Sequence, residues 1–147
     1  SLALGATDLK ELSQAWICQM SQLRTADILA LLGKSREAVA SARRALFGVQ
    51  KEIQSNSLAG PFARWSARLA VLDGVDLAGM RARLIALLAR ERQLDRIDQA
   101  EVLNAKVWLD TKCGEVDVGE RIEMWRRIDT LPAGVTNELR GLGMLDL

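Results

Sequence analysis

Apolar residues recur along this chain at intervals of three and four, the rhythm of helices, and no stretch alternates with the two-residue period of a strand. Asp8 and Glu11 have capping-box spacing and predict a first helix, with Leu9, Leu12, Trp16, Met20 and Leu23 as one stripe. Thr25 is placed to cap a short second helix, Ala26 to Leu32, ended by Gly33 in the left-handed conformation. Ser35 is placed to cap a third. Its stripe is Val39, Ala42, Leu46, Val49 and Ile53, which predicts about five turns. A polar loop at 54–57 precedes a fourth helix at Gly60-Pro61, facing inward through Phe62, Trp65, Leu69 and Leu72.

Asp76 then caps the longest expected element. From Leu77 to about Lys112 there is no proline and one glycine, Gly79. A straight helix there spans roughly 50 Å at about 1.5 Å per residue, with Arg90–Gln93 as the natural place for a break. Such a helix needs a second helix or another subunit to cover it. Gly114 ends it. Asp117 and Glu120 open a helix through Ile122, Trp125 and Ile128, Leu131-Pro132 stops that one, and Thr136 caps a last turn. The fold class expected is all-α, an N-terminal helix-turn-helix-like hairpin followed by a long helix and a helical hairpin for assembly. The regions are 1–54 (DNA-binding), 55–75 (connector helix) and 76–147 (oligomerisation).

Composition narrows the chemistry. The 147 residues contain no His and no Tyr, which removes the commonest general acid/base and any Ser-His or Cys-His nucleophile pair. No phosphate loop, HExxH or EF-hand pattern occurs, so the expectation is a protein that is not an enzyme and needs no cofactor or metal. Cys18 and Cys113 lie far apart and are expected to be reduced, largely buried thiols. No apolar run is long enough for a membrane span and no secretory leader pattern is visible. The expected setting is cytoplasmic, with no membrane partner.

The net charge of +1 decides nothing by itself, so any nucleic-acid contact must come from a local patch. The segment from Lys34 to Lys51 supplies one. Lys34, Arg36, Arg43, Arg44 and Lys51 stand there against a single acid, Glu37. With the Gly33 turn and Ser35, they form the candidate DNA-binding set: a short bracing helix, a glycine turn and a basic helix. A helical hairpin with a solvated basic face fits the same residues, and so does the second half of a tetratricopeptide repeat, although no tandem copy is present. Leu77, Met80, Leu84, Leu87, Leu88, Leu94 and Ile97 are the candidate oligomerisation residues, or alternatively the core of a monomeric bundle. The tryptophans fall on apolar stripes. Only Trp65, near Arg64 and Arg68, is a candidate for stacking on bases.

The order of these parts resembles the phage small terminase subunits of the lambda type. The resemblance rests on the Thr25–Val39 segment, on Met80-Arg81-Ala82-Arg83-Leu84, and on the stretch from Gly114-Glu115-Val116 through Trp125 to Leu131-Pro132. Leu29 and Lys34 depart from the helix-turn-helix pattern, and the wing of those proteins has no counterpart in residues 54–75. The resemblance implies a subunit that recognises viral double-stranded DNA for packaging, assembles with copies of itself in the host cytoplasm, and recruits a large terminase subunit carrying ATPase and nuclease activity. Ser35, Arg36 and Arg43 would then lie on the recognition helix, and Leu84, Leu87 and Leu94 in the assembly region. The competing function is a helical adaptor or chaperone that binds another protein through an apolar groove.

Overall fold

The computed structural model describes the backbone of residues 6–47 and 59–147, and the side chains of 17–46 and 59–147. Every regular element among them is helical: α1 (Ala6–Leu31), α2 (Ser35–Phe47), α3 (Ala59–Asp73), α4 (Leu77–Ala89), α5 (Arg96–Lys112), α6 (Val118–Ile128) and α7 (Ala133–Gly141). They fall into two compact units, residues 1–51 and 52–147.

In the first unit, α1 is one helix of 26 residues rather than two. It already runs at Ala6, two residues before the expected cap at Asp8. Thr25 does not cap a new helix. Its hydroxyl donates to the Ser21 carbonyl at 2.8 Å, the i−4 bond a threonine makes inside a continuous helix. With no Gly or Pro between Ala6 and Leu31, nothing interrupts the ladder. Gly33 ends it as expected, at φ 78°. Lys34 N–H donates to Leu29 O and Gly33 N–H to Ala30 O, the paired bonds of a left-handed glycine stop.

α2 begins at Ser35 itself, and its described length is 13 residues. The upper part of the expected stripe, Val49 and Ile53, lies outside the described residues. α2 runs antiparallel to α1. Ser41 Oγ donates to Gln22 O at 2.8 Å, and Gln19 Nε2 to Ala45 O at 3.1 Å one turn further from the Gly33 turn. The face α2 buries is Ala38, Ser41, Ala42 and Ala45 against Leu23 and Ala26. Val39 and Leu46 are only half-buried. Small side chains win this seam because they let the two backbones approach closely.

The second unit is built around α5. Every residue from Ala100 to Asp110 is buried, and α3, α4 and α6 pack on it. The expected long helix is broken. α4 stops at Ala89, a 3₁₀ turn spans Glu91–Gln93, and Asp95 caps α5 by accepting from Asp98 N–H at 2.8 Å. The break folds α4 back onto α5, so the bundle covers it without a second subunit. Asp76 and Asp117 cap α4 and α6 as expected, accepting from the N–H groups of Gly79 and Glu120. Thr136 lies inside α7, which starts at Ala133 directly after Pro132. The final turn closes on α5. Asn104 Nδ2 donates to Met144 O at 3.0 Å and Trp108 Nε1 to Gly143 O at 3.2 Å, while Leu139, Leu142 and Met144 are buried.

Candidate nucleic-acid interface

The Gly33 stop turns the chain so that α2 lies back along α1 on its alanine seam. The charged positions of α2 are therefore turned outward. Lys34, Ser35, Arg36, Arg43 and Arg44 are all exposed; Lys51 lies outside the described residues. Arg36 and Arg43 are seven residues apart, two turns. At about 100° per residue they share nearly one direction and stand about 10 Å apart along the axis. That direction is almost opposite the Ala38–Ala45 seam. Arg44 sits roughly a quarter-turn further round, where Glu37 occupies the same direction two turns earlier. Glu37, in the first turn of α2, also complements the helix dipole.

Unit 1 carries seven basic and four acidic residues, unit 2 thirteen and fifteen. The near-neutral whole thus hides a positive hairpin. The α1–α2 pair is an antiparallel helical hairpin. The turn and the basic second helix are present as expected, whereas the short bracing helix of a helix-turn-helix is absent among the described residues, because α1 passes straight through Thr25.

The remaining expected residues lie in the second unit. Leu84, Leu87 and Leu94 are buried in its core, and Leu77, Met80, Leu88 and Ile97 are half-buried beside it. Trp65 is 1% exposed, and the Arg68 guanidinium lies 4.8 Å from its ring centre, so neither side chain offers a platform to a base. Cys18 and Cys113 are both exposed, contrary to expectation: Cys18 lies on α1, and Cys113 is the residue directly after α5.

Helical periodicity does not reveal the two buried charge networks of the second unit. At one, Lys106 Nζ reaches Asp110 Oδ2 at 2.7 Å and Glu120 Oε1 at 2.5 Å, while Arg81 Nε bonds Asp110 Oδ1 at 2.9 Å. Burial alone pushes the Lys106 ammonium down, but its hydrogen bonds to Asp110 and Glu120 outweigh it and the net shift is upward. At the other, Arg64 on α3 pairs with Glu101 at 3.1 Å, and Gly60 N–H donates to Asp98 Oδ1 at 3.1 Å. A Cβ on Gly60 would run into the Asp98 and Glu101 carboxylates, so glycine is what lets the first turn of α3 seat there. Burial, then the neighbouring Asp95 charge, raises Asp98 to about 7, against the opposing Gly60 bond. The one signal in the sequence is the charge content of Ala100–Asp110. That run holds Glu101, Lys106 and Asp110 among residues apolar enough to be interior.

The recess between Asp110, Val116 and Glu120 has no interior space for a water-sized molecule. Among the described residues no three His, Cys, Asp or Glu side chains are grouped to hold a metal. No described helix is long and apolar enough to cross a membrane. Comparison with protein-family models, with curated proteins and with solved structures gave no match.

Proposed function

We propose that this chain is a non-catalytic DNA-binding assembly subunit that contacts the duplex backbone through the outer face of α2. The observation that carries the reading is the exposed, outward pair Arg36 and Arg43, flanked by the exposed Arg44 and Lys34. With about 10 Å between their positions along the axis of α2, the two long guanidinium side chains can each reach a different phosphate of the duplex. Backbone contact of this kind fixes position rather than sequence. Following the resemblance to lambda-type small terminase subunits, the role is the handling of viral DNA for packaging, with self-association and recruitment of a large subunit that supplies ATPase and nuclease activity. An electrophoretic mobility shift of the full chain against duplex DNA tests it. Retardation that weakens steeply with salt is the expected result, and no retardation at low salt rejects it.

A second reading, a helical adaptor for another protein, is favoured by one observation. Val118 and Ile122, one turn apart on α6, are 66% and 63% exposed. Under that reading a pull-down retains a protein partner that is lost in the Ile122→Glu variant, and DNA is not bound.

A further inference from the structure

The hairpin leaves one face of α1 apolar and uncovered. Ile17, Met20, Ile28 and Leu31 are all exposed there, with the exposed Arg24 among them. At about 100° per residue these five fall within a strip about 80° wide, roughly 120° round the helix from the Leu23–Ala26 face that meets α2. Their spacing is three, four, four, three. It reads the same in both directions, with Arg24 at the centre. A helix face with that symmetry is complementary to itself when the second copy is turned end for end. Ile17 then meets Leu31 of the other copy and Met20 meets Ile28, so all four apolar residues find apolar partners at once. Sliding the pairing by one turn sets Arg24 against Met20 and leaves Leu31 unmatched. A parallel pairing needs an apolar residue at Asp27 to continue its heptad, and Asp27 is instead buried within the hairpin. The two Arg24 side chains that meet at the axis each bring a carboxylate: Asp27 Oδ2 lies 3.9 Å from Arg24 Nη1 of the same chain. Antiparallel helices also oppose their dipoles favourably.

We infer that the Ile17–Leu31 face of α1 is a two-fold docking surface for a second copy of this chain, the two α1 helices crossing antiparallel at Arg24. The strip is about 21 Å long, so it is smaller than the roughly 800 Å² per partner of a standard stable interface, and the association is concentration-dependent. It is independent of the DNA reading, which can fail without affecting it.

The test uses the full chain with Cys18→Ser and Cys113→Ser. Disulfides need Cα atoms within about 7 Å. Under mild oxidation Arg24→Cys should give a linked dimer on its own. Ile17→Cys alone should not, because its two copies lie about 21 Å apart along the axis, but a mixture of Ile17→Cys and Leu31→Cys should link. In sedimentation the parent chain should shift from monomer to dimer with concentration, and Ile28→Glu, at an exposed site that folding does not need, should weaken that shift at least tenfold. Monomer at every concentration overturns the inference. So does an Ile17→Cys chain that links to itself as readily as Arg24→Cys, which is the signature of a parallel pair.

Discussion

In the N-terminal hairpin the charged side chains of α2 stand outside the helix contact. In the C-terminal bundle several charges stand inside it. α1 and α2 meet through Leu23, Ala26, Ala38, Ser41, Ala42 and Ala45, which leaves Arg36, Arg43 and Arg44 exposed. α5 meets its neighbours through Ala105, Val107 and Leu109 but also through Glu101, Lys106 and Asp110, each paired across to another element or along the helix. The same residue types therefore do different things. A buried charge holds helices in register and cannot be removed singly without leaving its partner stranded. An exposed one contributes little to stability and can serve binding instead.

The largest effect should fall in the bundle. Trp65→Ala should cost about 3–5 kcal/mol, read as a lowered denaturant midpoint, since the ring is fully buried between helices. Lys106→Met should cost about 3 kcal/mol or more, because Asp110 and Glu120 lose the cation they share. A loss below about 1 kcal/mol in Lys106→Met would erase the contrast between the two units.

The Asp98 carboxyl gives a pH-dependent version of the contrast. Its native value of about 7 lies above the ordinary carboxylate range, so the native state holds this proton more tightly than the unfolded chain. The contribution is therefore complete below about pH 4 and is lost as the pH rises through about 7. Asp98→Asn keeps an acceptor for Gly60 N–H and should remove this slope. An unchanged slope in urea melts across that range would show that Asp98 ionises without strain.

A smaller effect is expected in the hairpin. Ala42→Leu should cost about 1–3 kcal/mol by forcing α1 and α2 apart, whereas Ala40→Leu, on the exposed side of α2, should leave the denaturant midpoint almost unmoved. Equal effects at the two positions would mean that the seam is not where close packing matters. The smallest change in stability belongs to Arg36→Ala, Arg43→Ala and Arg44→Ala, each expected within about 0.5 kcal/mol of the parent.

Much of this contrast is legible in the chain. The all-helical fold follows from apolar periodicity, and Asp76, Asp117, Gly33 and Gly114 mark helix ends where residues of their type belong. Three features are not. Thr25 has the character of a cap, yet a threonine hydroxyl satisfies its own helix equally well, and only the absence of a breaker before it decides the matter. Periodicity favours the larger Val39 and Leu46 for the buried stripe of α2, although an antiparallel pair of helices closes best on Ala38, Ala42 and Ala45. The third is the pairing of the α5 charges. Their partners, Arg64, Arg81 and Glu120, come from other elements and cannot be seen from spacing within the helix. The exposed cations of α2 are legible one by one. Their shared outward direction depends on which face is buried.

The central claim is the division between a nucleic-acid-contacting hairpin and a self-supporting bundle. It is tested most directly by duplex DNA affinity over a salt series, comparing the parent chain with the triple variant Arg36→Ala, Arg43→Ala, Arg44→Ala. The parent should bind with a steep dependence on salt, and the variant should bind more weakly with a slope shallower by up to about three counterions, while its unfolding curve overlays the parent's. An unchanged slope, or no binding by the parent at low salt, would contradict the claim.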